Sequence, residues 1–457
     1  MDHTPLLDNI RAAMEQLHVP GVAVGILQNN EVFAAGLGVT NVDHPLPVDD
    51  GTLFQIGSIT KTFVGTLAMR LVEMGKLNLD MPVRAYLPDF NVPDEQAAAN
   101  VTLRHLFTHT AGWVGDFFPE DLGHGDDAVA KYVARLAEVP QLTPVGEVLS
   151  YNNAGFVVAG RVIETVVGKD FASLMKEMIF EPLGLSHTYL LPWEVMTYRF
   201  VSGHTKVEDG AQVARPWSIG RASGPAGGII SNVRDLLDYA RFQMGDGTYN
   251  GARLLKPESL DALHTPQVRF TPADAVCLTF WEKDYGSTRS LSHGGGTVGQ
   301  ITRLEFFPEQ QFAIALFTNA DSGSVLVTDI CEWAFEHYLG VTEPKHSFIS
   351  LAPEKLAAYA GSYAAALTEC ELSLQNGDLV ARMRPKGGFP TKDDAPRTTE
   401  PSPPVRLGFL DEDTVFGLDA PMRKTPGKFI RNDDGSIAWF RFGGRIHRRM
   451  SNGKANA

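Results

Sequence analysis

Apolar residues at Leu6, Ile10, Met14 and Leu17 recur every three or four positions through the first twenty residues, with polar residues between them. That is one face of a helix, so the chain is predicted to open on an amphipathic helix. The pattern then changes. GVAVGIL (21–27) and EVFAAGLG (31–38) are small and apolar throughout and flank Asn29-Asn30, which predicts an antiparallel hairpin. From Ser58 to about Leu77 the apolar residues Ile59, Phe63, Leu67 and Leu71 return at a four-residue step, predicting a helix with a buried face. A long middle region is helical and irregular. RSLSHGGGT (289–297), ITRLEFF (301–307) and QFAIALFTN (311–319) read as strands, the last two joined by a turn at Pro308-Glu309-Gln310, and a helix carrying Val325, Ile330 and Trp333 follows. Strands at both ends with helices between them predict an α+β domain whose sheet is completed by its two termini.

A linker is predicted around Pro344 to Pro353, dividing the chain into units of 1–345 and 351–457. In the second unit GSYAAAL, CELSLQNGDLVARM, LGFLDEDTVFGL and GSIAWFRFGGRIHRRM alternate on a period of two around NG, DE and DG turns, which fits a small antiparallel barrel. The stretch 387–404, rich in proline and polar residues, interrupts it. No internal repeat of fixed period is present.

Charge sharpens this division. Of 457 residues, 40 are Lys or Arg and 54 Asp or Glu, a net charge of -14; residues 351–457 hold 16 against 13, so the surplus of acid lies wholly in the first unit. An acidic chain of this kind is not built to neutralise phosphates, which argues against a nucleic-acid partner. Cys277, Cys331 and Cys370 are odd in number and far apart, and are read as reduced thiols. No run approaches the length of a membrane span, and the first twenty residues lack the basic start and unbroken apolar stretch of an export signal. These features predict a cytoplasmic protein with no membrane partner.

Candidate chemistry starts from Ser-x-x-Lys, which occurs at Ser58/Lys61, Ser173/Lys176 and Ser451/Lys454. The first differs from the others in context. Ser58 follows Gly57 at the start of a strongly apolar helix, where free N–H groups favour developing negative charge, and one turn places Lys61 beside it. A buried lysine loses hydration and its pKa falls, so it can accept a serine proton. The plainer reading makes Ser58 a helix cap and Lys61 a solvated first-turn residue. Two further motifs occur once each: Tyr151-x-Asn153 in VLSYNNAGF, and His293-Gly294-Gly295 in SHGGGTVG.

With these three motifs in this order, the chain resembles the serine β-lactamase and penicillin-binding-protein superfamily, in the branch of class C β-lactamases, D,D-carboxypeptidases, D-aminopeptidases and related esterases. VPGVAVGIL, GKLNLDMPVRAYLP (75–88), VTLRHLFTHTAG (101–112), FEPLGLSHT (180–188) and PAGGIISNVRDL (225–236) resemble it too, so the likeness spans roughly residues 15–340. The resemblance implies a β-lactamase-like antiparallel sheet flanked by helices, with the C-terminal unit similar to the small β-barrel of some members. It implies Ser58 as nucleophile, Lys61 as its general base and Tyr151 as proton relay. Asn153 would hold the substrate's acyl-side amide or position Lys61. Gly294, Gly295 and Gly296 would leave a strand edge bare for substrate, the Gly296 and Ser58 N–H groups forming the oxyanion hole. A strand bulge is the structural alternative for the glycines, and a turn role the alternative for Asn153.

His293 departs from class C β-lactamases, which carry lysine there; histidine is the residue of the peptidase and esterase branches. A neutral imidazole attracts a carboxylate less than lysine does. The resulting expectation is a cofactor-free, metal-free serine hydrolase acting on small esters, amides or short peptides, including those with D-amino acids. Three alternatives stay open: acyl transfer to an amine, a weak β-lactamase or penicillin-binding activity, and a scaffold without turnover. The oligomeric state is left open. His105 and His109, four apart, lack the Glu of an HExxH site and are read as structural. Trp113, Phe117 and Phe118 are read equally as cleft or core.

Overall fold

The computed structural model describes residues 2–450 apart from 121, 209, 218, 392–393 and 396–399. Among these, eight strands form the main antiparallel sheet: β1 (Gly21–Gln28), β2 (Glu31–Gly38), β3 (Val268–Arg269), β4 (Asp274–Val276), β5 (Trp281–Asp284), β6 (Arg289–Gly296), β7 (Ile301–Phe307) and β8 (Phe312–Thr318), in the spatial order β2-β1-β8-β7-β6-β5-β4-β3. The N-terminal hairpin is thus stitched to the last three long strands, with Val22 opposite Thr318 and Gln28 opposite Phe312. The sheet is completed by the two ends of the unit, as the strand pattern predicts.

Period-two alternation sorts the side chains of these strands between two cores. Val22, Val24 and Ile26 of β1, with Ile314 and Leu316 of β8, pack against helices α1 (Thr4–Leu17) and α5 (Gly323–Leu339), where Leu6, Ile10, Leu326 and Ile330 are buried. Ala23, Ala315 and Phe317 face the other way, onto α2 (Thr60–Glu73), α3 (Asn153–Val167) and α4 (Val233–Gln243) with Phe63, Leu67, Phe156 and Leu237. Gly25 sits where α4 comes closest: a Cβ there would lie 2.9 Å from Leu237 Cδ1.

The helix expected from Ser58 to about Leu77 is shorter than the apolar spacing suggests. A single 3₁₀ turn, Gly57–Ile59, precedes α2, and the helix ends at Glu73. Gly75 takes φ +68°, and the Lys76 and Leu77 N–H groups fold back to the Leu71 carbonyl, closing the end as left-handed glycine caps do.

The C-terminal strands Gly361–Ala364, Thr368–Gln375, Asp378–Pro385, Val405–Phe409, Thr414–Gly417, Pro426–Arg431, Ile437–Phe442 and Arg445–Arg449 close into a barrel in sequence order. Aromatic residues fill it: Phe409, Phe429, Phe440 and Phe442 stack inward with Tyr359 and Tyr363. A short helix, Pro353–Tyr359, which period-two reasoning does not reveal, delivers Leu356 and Tyr359 to that core. The barrel rests on the main unit. Its Gly443-Gly444 turn meets the loop before α3, where the Tyr151 N–H donates to the Gly444 carbonyl at 2.8 Å.

Candidate active site

Gly57 adopts φ +54°, and a Cβ on it would fall 2.7 Å from the Gly296 nitrogen; a Cβ on Gly295 would fall 1.9 Å from the Ile56 carbonyl oxygen. Only bare backbone lets the Ser58 turn lie this close to the end of β6. The contact brings the turn that carries the partly exposed Ser58 against the backbone of Gly296. Strand β5 pairs with β6 only as far as Trp281 opposite Ser292, so His293 to Gly296 are paired with β7 alone. Gly294 and Gly296 are exposed on that free edge.

Lys61 stands one turn into the helix, fully buried, with its Nζ 3.0 Å from Ser58 Oγ and also donating to the Ala226 carbonyl. The Tyr151 and Phe156 rings flank it, their centroids 5.0 and 5.4 Å from Nζ. Burial, assisted by the Arg445 guanidinium and opposed by Asp116, holds the ammonium pKa well below its usual value. Taking a cation out of water without a carboxylate of its own is costly, so burial favours the neutral amine. Tyr151 moves the other way. Burial raises its phenol pKa, outweighing the lowering effects of its hydrogen bond with Ser58 and of Arg445. Burial thus acts on the pair in opposite senses, easing proton loss from Lys61 and hindering it from Tyr151.

The loop before α3 is held by Asn152, which caps the helix by accepting from the Gly155 N–H at 2.8 Å and donates from Nδ2 to the Trp113 carbonyl at 3.1 Å. Its own N–H donates to Nδ1 of His109 at 3.0 Å. Asn153 Nδ2 donates to Asp116 Oδ1 at 2.7 Å. The structure thus ties Asn153 to Asp116.

His293 is 3% exposed. Its Nδ1 lies 2.6 Å from the carbonyl oxygen of Gly294, which can only accept, so Nδ1 carries the hydrogen. Burial and the nearby Lys61 push its pKa down to about 3, so the ring is neutral, and Nε2 has no partner among the described residues.

Four side chains at the site stand outside any motif. Asp116, its side chain 5% exposed, accepts from Nε and Nη2 of Arg445 as well as from Asn153. Arg445 comes from the barrel, its guanidinium carbon 4.9 Å from the centroid of Tyr151. His109 and Trp281 complete an aromatic wall, the His109 ring 4.4 Å from Tyr151 and 5.8 Å from Trp281. His109 is neutral because burial and Lys61 depress its pKa. The signals of these residues in the sequence are the Gly443-Gly444 pair beside Arg445 and the spacing of His109 from His105; neither says what the residue faces.

The other candidates fall elsewhere. Ser173 begins a short helix with its N–H on Asp170, and Lys176 is exposed. Ser451 and Lys454 lie outside the described residues. His105 caps its helix with Thr102, and the described residues hold no group of His, Cys, Asp and Glu fit for a metal. Trp113 and Phe117 belong to the core, whereas Phe118 lines the cleft. No described helix is long and apolar enough to cross a membrane. The cleft, about 1160 Å³, holds Ser58, Tyr151, Asn153, His293 and the three glycines, with Gly443 to Arg445 of the barrel on its wall.

Comparison with known proteins agrees with this geometry. The Beta-lactamase family pattern matches residues 6–330. Penicillin-binding protein 4 of Amycolatopsis lactamdurans is 30% identical over 379 residues, covering 79% of this chain and 97% of that protein. An unguisins hydrolase of Aspergillus violaceofuscus is 26% identical over 70% of this chain and 62% of its own length. Among solved structures, that of SurE with D-Leu covers 98% of this chain and 99% of its own, with a TM-score of 0.73 and 25% identity. The match over residues 6–330, together with the same fold from α1 through the barrel, makes the protein a hydrolase-type member of the Beta-lactamase family.

Proposed function

We propose that the protein is a serine hydrolase that forms an acyl-enzyme at Ser58 and releases it to water. The observation that carries this reading is the buried Lys61 Nζ 3.0 Å from Ser58 Oγ, with burial lowering its pKa toward the form that accepts a proton. In the forward step Lys61 Nζ takes the hydroxyl proton as Oγ bonds to the substrate carbonyl carbon. The carbonyl oxygen becomes an oxyanion facing the Ser58 and Gly296 N–H groups, worth about 3 kcal/mol for each well-aimed donor. Tyr151, protonated and hydrogen-bonded to Ser58, passes its proton to the leaving group and is reprotonated from Lys61. Water then repeats the sequence on the ester carbonyl, and Ser58 recovers its hydrogen.

The substrates in this reading are small esters or amides, including short peptides with D-residues. SurE was solved with D-Leu, and a D-amino acid amidase from Ochrobactrum anthropi shares the fold. No cofactor takes part, and three free, buried cysteines suit a cytoplasmic setting. Residues 1–345 would carry the chemistry and 351–457 would form the barrel unit.

Intact-protein mass after treatment with a fluorophosphonate tests the proposal. One adduct on the wild type that is lost in Ser58→Ala supports it, and a folded wild type that takes no adduct shifts the assignment to a scaffold without turnover. Acyl transfer to an amine is the second reading. An amide product that competes with hydrolysis when amine is added would decide for it.

A further inference from the structure

The turn that carries Ser58 follows a short extended run, Phe54–Gln55, that is held from two sides by different means. On one side the bonds are made by backbone. Phe54 and Gln55 pair with Ser231 and Ile230, and the Ile56 N–H donates to the Ile229 carbonyl at 2.9 Å. These fix the run against the segment that leads into α4, and leave its distance from β6 open.

On the other side the bonds are made by two side chains of the β6–β7 hairpin. Gln300, fully buried in the hairpin turn, accepts the Gln55 N–H on Oε1 at 2.9 Å. Thr302 on β7, 2% exposed, donates its hydroxyl to the Ile56 carbonyl at 2.8 Å. Ile56 thus has its N–H held from one side and its carbonyl from the other, immediately before the left-handed Gly57 and Ser58. Thr302 also stands opposite Gly295 in the hairpin register, next to the pair that contains Gly296.

This contact accounts for one glycine of the triplet. A Cβ on Gly295 would fall 1.9 Å from the Ile56 carbonyl oxygen and 2.4 Å from Thr302 Oγ1. Gly295 is buried, whereas Gly294 and Gly296 are exposed. Its missing side chain leaves the room that the bond between Thr302 and Ile56 occupies.

We infer that Thr302 and Gln300 are positioning residues for the reaction at Ser58, setting through the backbone of Gln55 and Ile56 how far the Ser58 turn stands from Gly296. This rests on acylation at Ser58, with the Ser58 and Gly296 N–H groups receiving the oxyanion. Neither side chain carries a charge or a proton that the reaction uses. Their loss should therefore slow turnover without altering affinity or the proton path. A donor displaced by about 1 Å costs up to about a hundredfold in rate.

The test uses 4-nitrophenyl acetate, with each rate normalised to the Ser58 that a fluorophosphonate titrates. Thr302→Val keeps the shape of the side chain and removes its donor, Thr302→Ser keeps the donor, and Gln300→Met keeps the length and removes the acceptor. Thr302→Val and Gln300→Met are each expected to lower kcat by about tenfold or more, with KM within about twofold of the wild type. The rising limb of kcat/KM against pH should stay where it is, and Thr302→Ser should recover kcat to within about threefold. A purely structural role would lower the melting temperature and leave the normalised kcat unchanged, and that outcome overturns the inference. A loss that Thr302→Ser shares, or one carried by KM or by a shifted pH limb, overturns it as well. Thermal melting identifies a variant that fails to fold, and the other then decides. Normal labelling of Ser58 beside unaffected variants removes only the positioning role, whereas a folded wild type that takes no label removes the acyl-enzyme reading instead.

Discussion

Two turns bring a basic group to the ring of Tyr151. The Gly57–Ile59 turn starts α2 and delivers Lys61, whose Nζ is 5.0 Å from the ring centroid; the Gly443-Gly444 turn of the barrel delivers Arg445, whose guanidinium carbon is 4.9 Å away. Both turns depend on glycines with positive φ. The pKa values of the two groups move in opposite directions because their partners differ. Lys61 meets a hydroxyl, a carbonyl and two aromatic faces, and its pKa falls; Arg445 meets the carboxylate of Asp116, and its pKa rises. Burial alone therefore does not say whether a basic group acts as proton acceptor or as fixed charge. The presence or absence of a carboxylate partner does.

The comparison predicts, first, that substitutions at the lysine turn abolish chemistry. Ser58→Ala should lower kcat by about 10⁴-fold or more, with a melting temperature close to the wild type, because the removed hydroxyl is partly exposed and contributes little packing. Lys61→Met should lower kcat by about 10³-fold or more. It should leave stability unchanged or raised, since an apolar side chain of similar length replaces a buried amine that has no carboxylate to pair with. Steady-state rates and thermal melts measured on the same preparations check both. A Lys61→Met protein with normal kcat would remove the lysine from the proton path.

Arg445→Ala sharpens the contrast, with a smaller expected loss of about 10- to 100-fold in kcat. The variant removes a cation that lowers the Lys61 pKa and leaves Asp116, which raises it, without its partner. Both changes raise the lysine pKa, so the rising limb of kcat/KM against pH should move to higher pH. An unchanged pH profile would reduce the barrel turn to a passive wall.

The same contrast explains what the sequence reveals of the site. Ser58 and Lys61 are one helical turn apart, and the four-residue apolar step through Ile59, Phe63 and Leu67 exposes the helix that joins them. Their relation is local, so it is legible. The unbroken apolar runs of β1 and β8 are legible for a similar reason, because each strand feeds two cores and is buried on both faces. Arg445 lies 329 positions from Asp116, and among RFGGRIHRR nothing distinguishes it from its neighbours. Its role arises when a closed barrel docks on the loop before α3, and no spacing rule encodes that. Asp116 and Trp281 are hidden in the same way. His109 is instructive, since its four-residue distance from His105 suggests a shared helix face, yet α-helical structure ends at Phe107 and the two rings part.

The smallest expected effect concerns stability and divides between the same two regions. His264 and His293 in the main unit have pKa values pushed down to about 3 by burial, and His447 in the barrel down to about 4. The unfolded chain binds a proton on each below its ordinary value near 6.5, while the folded chain stays neutral until the depressed value is reached. More protons on the unfolded state mean that stability falls as pH falls, beginning near pH 6.5 and continuing toward 4, at up to about 1.4 kcal/mol per pH unit for each group. His447 offers the cleanest separation. Its Nε2 lies 2.8 Å from the Thr368 hydroxyl, so His447→Gln should retain that polar contact and remove the titration. The melting temperature of this variant should fall less steeply than the wild type between pH 6.5 and 4.5, with the same kcat at pH 7. Equal slopes would assign the acid sensitivity to the histidines of the main unit, and a changed kcat would tie the interior of the barrel to the site through the strand that carries Arg445.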